Sequence, residues 1–507
     1  MMRKVMEVSA MVLALWLLAA LPAAGWAQEK QPDNPAGKVA DKAADKAADA
    51  AAEKAKAAEA DRAGCNCIFC QAKETVHQET PWLALSADLR LREVFTPNLL
   101  LDQEDRHWQR YRARVGATVT PVKDIDLDFR LVYEPEHFCQ PDRELQGRSE
   151  YYIDEWITNE AIFDRMSVTW REPCGLPLRA VIGRQDIILG NGWLVLDGTP
   201  LDNSRTIFFD AVRLTWDLAA CNTTIDTIYI NQHADSDRWI EPFCDKDYHN
   251  IEQNEQGVIV WIANKSLAKT ELDGYFIYKH DEAVLGTEPG DIGPGHMAPW
   301  QAGDNADIYT LGTRAVHDLS ANINLMGEIA GQFGNKNGQG LCAMGANTLA
   351  TYKFNDALKH EVHVGYEFLS GDHSSTDGRT EQFDPLWGRW ARFSELLAYT
   401  HALENRPGEA TNLHRLNVGM SCVPCEKITL GADYNLLFAN HNSYGGRGIF
   451  SSDSNFRGQL LTARMIYQFN KHVSGHLLAE LFFPGNFYNN DYNEVAGFFR
   501  YELNFTW

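Results

Sequence analysis

A basic surface is what this chain of 507 residues most plainly lacks. Lys and Arg number 46 against 69 Asp and Glu, a formal net charge of −23. Phosphate backbones are gripped by cationic surfaces, so DNA and RNA are excluded as partners. Long apolar runs are also missing. Past residue 27, no stretch reaches the roughly 20 apolar residues that a membrane-spanning helix needs. The one marked run, Val8 to Leu21, follows Arg3 and Lys4 and ends in small residues before Ala27-Gln28. That order predicts a secretory leader at 1–27, cut after Ala27. No Cys-x-x-Cys-His haem attachment occurs, and the glycines around Gly340 lack the Lys-Ser/Thr end of a phosphate loop. His363 and Glu367, like His476 and Glu480, lie four apart on one strand face, about 13 Å from each other. That is too far for a catalytic dyad, although cross-strand partnerships stay open. No enzyme activity, catalytic residue or cofactor is expected.

Aromatic residues, by contrast, are plentiful: 24 Phe, 18 Tyr and 14 Trp. In the last nine residues Phe499, Tyr501, Leu503, Phe505 and Trp507 alternate with Arg500, Glu502, Asn504 and Thr506. A period of two gives the strand one apolar and one polar face. The same alternation runs through 83–92, 110–119 and 125–133, and returns at 206–217, 320–333, 359–369, 427–438 and 456–469, with no competing helical period. Mean hydropathy is only −0.35, because alternation averages out. An exported chain of this kind reads as an all-β fold, a transmembrane antiparallel β-barrel with lipid outside and a wet lumen inside.

The connections alternate in size. Short ones carry turn residues at 121–124, 172–175, 219–222, 264–266, 317–320, 355–357, 422–425 and 470–472. Longer polar stretches lie near 95–107, 135–150, 187–205, 232–255, 280–306, 332–343, 370–410, 439–455 and 484–494. Tight periplasmic turns with long external loops are the outer-membrane pattern, and this tally predicts 18 strands. Trp390 to Leu403 looks strand-like, but counting it would make the number odd. It is therefore placed within 370–410, one large excursion over or into the mouth. A barrel of this size encloses an aqueous channel.

Alternation also assigns the lumen face. Inward cations are Arg90, Arg92, Arg110, Arg112, Arg114, Arg130, Arg213, Arg314, Lys353, Arg415 and Arg464. Inward acids are Asp88, Asp126, Asp128, Asp217, Glu328, Glu361, Glu367, Asp433 and Glu480. Arginine ladders would select anions, whereas cross-strand pairing would brace the wall and leave little field. For the triplet Arg110, Arg112 and Arg114, Asp126 and Asp128 on the next strand are the expected partners.

Three short motifs carry a family resemblance. Val181-Ile182-Gly183-Arg184-Gln185-Asp186 with Gly190-Asn191-Gly192, then Phe209-Asp210-Ala211-Val212-Arg213-Leu214, then Phe383-Asp384-Pro385-Leu386-Trp387 resemble the alginate export porins over roughly 82–507. The resemblance implies an 18-stranded barrel, an Arg-rich constriction to which Arg184 and Arg213 contribute, loops that partly plug the pore, and passive export of an anionic polysaccharide.

Residues 28–73 stand apart. Ala36 to Ala63 is rich in Ala, Lys, Asp and Glu, which favours a helix. It is a linker, a lone periplasmic helix, or a thin Ala seam joining subunits into a homo-oligomer. Ten cysteines complete the chain. In an oxidising compartment disulfides are expected, pairing within each side: Cys174 with Cys221, Cys139 with Cys244, and Cys422 with Cys425. Cys65, Cys67 and Cys70, with His77, form a weak metal candidate of non-standard spacing. The reading is therefore a barrel over 74–507 in outer-membrane lipid that passes small or polymeric solutes, anionic ones among them. The alternative is a plugged barrel serving as a structural or adhesive anchor.

Overall fold

The computed structural model describes residues 68–140, 156–157, 161–196, 208–234, 251–284, 303–374, 376–388, 391–401, 404, 409–443 and 445–507. The leader, the Ala-rich segment, Cys65, Cys67 and Cys244 lie outside them. A helix, α1 (Ile68–Glu79), precedes eighteen long strands. They are β1 (Leu83–Pro97), β2 (Asp105–Val122), β3 (Ile125–Tyr133), β4 (Ile162–Arg171), β5 (Leu178–Gln185), β6 (Phe209–Leu218), β7 (Thr223–Gln232), β8 (Gln253–Asn264), β9 (Thr270–Ala283), β10 (Ala306–Asp318), β11 (Ile323–Lys336), β12 (Gln339–Lys353), β13 (Glu361–Leu369), β14 (Leu413–Cys425), β15 (Ile428–Ala439), β16 (Phe456–Gln468), β17 (Val473–Pro484) and β18 (Ala496–Thr506). Each pairs antiparallel with its sequence neighbours. The ring shuts where β18 meets β1, with Phe499 opposite Phe95 and Thr506 opposite Asp88. Closure leaves no unpaired edge.

The pleat sorts the side chains as alternation requires. On β18 Tyr501 and Phe505 are exposed outside, while Arg500 and Glu502 are buried inside. Val115, Ile182, Leu311, Val364 and Val418 continue the outward apolar surface. Near the long-loop end, Tyr309 stacks between Tyr278 and Phe333, with ring centroids 5.0 and 5.4 Å away. That wall suits lipid. No helix among the described residues is long and apolar enough to cross a membrane.

Two connections differ from the sequence reading. The stretch 332–343 is no long loop: β11 and β12 run on to a two-residue turn, Asn337-Gly338, with φ of 53° and 79°. Paired positive φ values define the hairpin turn that matches strand twist, and Asn-Gly favours it. Likewise Cys422 to Cys425 is strand, not turn; an irregularity between them shifts the reversal to Glu426-Lys427. Both changes preserve the strand count. Cys174, Cys221, Cys422 and Cys425 are free thiols, so the expected pairs Cys174–Cys221 and Cys422–Cys425 do not form. Cys174 and Cys221 sit in two separate turns and Cys422 and Cys425 on one strand, and neither pair comes within bonding reach. No cluster of three or more metal-ligating side chains occurs among the described residues.

Candidate functional site: the occluded lumen

Two loops fold inward from the long-loop end. The first follows β5. Its chain reverses at Gly190-Asn191-Gly192, where the Gly192 amide donates to the Leu189 carbonyl (2.8 Å) and that of Leu189 to Val195 (3.1 Å). Arg314 on the wall reaches across and donates to Asn191 Oδ1 at 3.0 Å. The second is the excursion between β13 and β14. Asp384 orders its start, accepting from the Leu386 amide and from Lys336 Nζ, each at 2.7 Å. The loops then lock together: the Trp387 amide donates to the Leu194 carbonyl at 3.0 Å, and Trp193 stacks on Phe383 with centroids 5.6 Å apart. Wall carboxylates hold both indoles, Glu367 taking Trp193 Nε1 at 3.0 Å and Glu255 taking Trp387 Nε1 at 2.9 Å.

The segment that looked strand-like is a short helix, α2 (Glu395–Thr400). Ser394 caps it, its hydroxyl accepting from the Leu397 amide. Glu480 on β17 then accepts from Ser394 Oγ (2.5 Å) and from the amides of Glu395 and Leu396 (both 3.0 Å). Arg500 pairs with Glu395 at 3.1 Å. A helix start leaves its amides unpaired; here the barrel wall supplies the acceptor, so the helix belongs to the lumen. Its apolar side joins Leu99, Leu101, Ile187, Leu194, Leu386, Phe487 and Tyr488 in one buried cluster beneath the mouth.

Two cavities remain. A cavity of about 640 Å³ is lined chiefly by β1 and β13 to β18. A smaller one of about 380 Å³ lies against β12, β13 and the first loop. Arg392, Phe393 and Arg415 line both and so form the partition. The Arg415 guanidinium lies 4.5 Å from the Phe393 ring centre, a favourable cation–π placement.

The charge of the larger cavity opposes that of the chain. Seven arginines (Arg90, Arg92, Arg112, Arg392, Arg415, Arg464, Arg500) face four carboxylates (Glu395, Asp433, Glu480, Glu502). Several are spoken for: Arg92 by Glu502 at 2.6 Å, Arg112 by Asp88 at 3.0 Å and Arg415 by Glu367 at 2.9 Å. Arg392 and Arg464 are exposed and have no carboxylate within 4.0 Å among the described residues. Arg392 lies in a loop, where strand alternation gives no signal, and sequence reasoning missed it; desolvation by the surrounding protein lowers its pKa, against the opposing pull of Glu367 and Glu328.

Of the arginines read as inward, the structure brings Arg90, Arg92, Arg112, Arg415 and Arg464 to this cavity. The others brace the wall. Arg110 pairs with Glu136, Arg114 with Asp88, Arg130 with Asp164, Arg213 with Asp226, and Arg314 with Glu271 and Asp273. Arg184 forks onto Asp210 at 2.9 and 3.0 Å and stacks over Phe208. Asp126 and Asp128 do not meet the arginine triplet. Thr118 stands opposite Asp128, so both acids lie nearer the turn and bond Thr120, Arg171 and Thr118. The two spaced His/Glu sets find separate partners as well, His363 with Asp433 at 2.7 Å and His476 with Arg500 at 2.9 Å.

The family model for alginate export matches residues 81–501. No curated protein matches the chain. Among solved structures, OpdO of Pseudomonas aeruginosa is 10% identical, covering 84% of this chain and 98% of its own, with a TM-score of 0.51. OccAB2 of Acinetobacter baumannii is 11% identical, covering 83% and 98%, with a TM-score of 0.50. At such identity the likeness is one of fold.

Proposed function

The chain belongs to the alginate export family, and from that premise we propose that it is a constricted outer-membrane channel for the passive passage of anionic solutes. The observation that carries this reading is the excess of cation that Arg392 and Arg464 leave in the 640 Å³ cavity, both exposed and with no carboxylate within 4.0 Å among the described residues, in a chain of net charge −23. A wet, narrow passage between low-dielectric walls focuses such an excess, raising the local concentration of anions. Arg392 and Arg464 are the contact points, because neither is neutralised by a neighbour. Arg90, Arg92, Arg112 and Arg415 set the field behind them, and Arg110, Arg114, Arg130, Arg184, Arg213 and Arg314 keep the wall in shape. The solute class is carboxylated, either an acidic polysaccharide or a small organic acid. The short turns and the N-terminal segment face the periplasm and the long loops face outward, as barrels inserted from the periplasm do.

The buried apolar cluster beneath the mouth favours a second reading, a closed barrel that serves only as an anchor. Planar-bilayer recordings separate the two. Discrete conductance steps with anion preference support the channel; a folded barrel that never conducts supports the anchor.

A further inference from the structure

Two histidines at the long-loop end are used by nothing described so far. His373 lies early in the β13–β14 excursion and His441 just after β15. Their Nδ1 atoms face each other at 3.5 Å, and their rings stand edge to face, 72° apart with centroids at 5.0 Å. Both side chains are accessible from solvent. A good N–H hydrogen bond is shorter than this, near 2.9–3.0 Å. Two nitrogens bound to one tetrahedral ion are instead about 3.3–3.4 Å apart, given metal–nitrogen distances of about 2.0–2.1 Å. With each ring proton on Nε2, both Nδ1 lone pairs are available to an ion held between them.

The backbone holds the pair in place. The Gly371 amide donates to Asn440 Oδ1 (3.1 Å) and the His441 amide to Asn412 Oδ1 (2.8 Å). Asn412 Nδ2 returns a bond to the His441 carbonyl (2.7 Å), and Ser443 Oγ donates to the Asp372 carbonyl (2.8 Å). The backbone on both sides of the pair is thus held before an ion binds, which lowers the ordering cost.

We propose that His373 and His441 form a two-histidine site for a borderline divalent transition ion such as Zn²⁺ or Cu²⁺, fastening the lumen-occluding excursion to the loop after β15. Imidazole donors suit these ions and not Mg²⁺ or Ca²⁺, which take oxygen. With two protein ligands, the ion keeps positions for water or for a passing carboxylate. The ion fixes the outer end of the excursion whose inner end Glu480 holds. The inference does not depend on which solute the lumen passes.

Zinc binding to the full chain in detergent, with its thiols alkylated first, tests this directly. Equilibrium dialysis against zinc should give one more bound ion per chain for the parent than for either His373→Ala or His441→Ala. His360→Ala, a histidine in a short turn bonded to Asp356, should match the parent. Unheated samples that keep the fast gel migration of a folded barrel confirm folding, and His373→Gln with His441→Gln repeats the test at nearly constant size. Equal stoichiometry in parent and variants overturns the proposal, as does loss from only one of the two positions. A magnesium titration should leave the parent unchanged.

Discussion

Glu480 is the point at which the occluding excursion is most open to attack. Its carboxylate takes three hydrogen bonds from the start of α2, at 2.5, 3.0 and 3.0 Å, and all of the groups are buried. Replacing it with Ala leaves a hydroxyl and two amides without an acceptor. Breaking a buried, hydrogen-bonded charged contact costs about 3–5 kcal/mol. Glu480→Gln keeps one acceptor oxygen and sets an NH2 group against one of the donors, a smaller loss of roughly 1–3 kcal/mol. The ladders of β16 to β18 do not pass through this side chain, so the cost falls on the docked loop and not on the barrel. A loss of 3 kcal/mol shifts the docked-to-released ratio by about a hundredfold, at about 1.4 kcal/mol per factor of ten. Single-channel recording should therefore show a higher open probability for Glu480→Ala, a smaller rise for Glu480→Gln, and a rise for Ser394→Ala as well. Unchanged open probability in a folded Glu480→Ala barrel would refute the role given to this anchor.

Other outcomes follow from the same geometry. Arg392→Ala and Arg464→Ala should each lower the anion-to-cation permeability ratio while leaving heat-modifiable migration as in the parent. Arg184→Ala should do the reverse, because it removes a buried guanidinium from the half-buried Asp210 carboxylate and costs about 1–3 kcal/mol of stability, read as a lower temperature for loss of the folded band with unaltered selectivity. Gly183 has φ of 115°, and a Cβ there would lie 2.4 Å from the Met166 carbonyl oxygen; Gly183→Ala should cost at least 1–3 kcal/mol in the same assay. Cys174, Cys221 and Cys425 are exposed thiols, so a maleimide should label peptides carrying them in the folded barrel without prior reduction; labelling that needs reductant would show that they are oxidised.

Most of the wall was legible in the sequence. Alternation put Arg500 inside and Tyr501 outside, and the turn tally gave eighteen strands because each short connection carried Gly, Pro, Asn or Asp. Long polar composition misled at 332–343, where Asn337-Gly338 was itself the hairpin signal. Partners for the triplet were within reach too. A turn at Lys123-Asp124 sets Arg112 and Arg114 opposite the end of β3, near Glu134, and leaves Asp126 opposite Thr120. The interior of the lumen was less legible for a physical reason. Its contents come from loops without a period, and α2 is fixed by Glu480, 85 residues further along the chain. Leu396 and Leu397 look like strand residues until that acceptor is known. The motif residues Arg184, Asp210 and Asp384 stood out in the sequence, yet they hold backbone and each other, while Arg392, which stood out in nothing, divides the cavities.

The sign of the lumen field decides the account. A reversal potential measured across a bilayer in a salt gradient reports it without knowledge of the solute. The unpaired arginines of the larger cavity, Arg392 and Arg464, predict a potential on the anion-selective side, moving toward zero in the Arg392→Ala/Arg464→Ala double variant. A cation-selective potential, following the net charge of −23, would contradict the assignment.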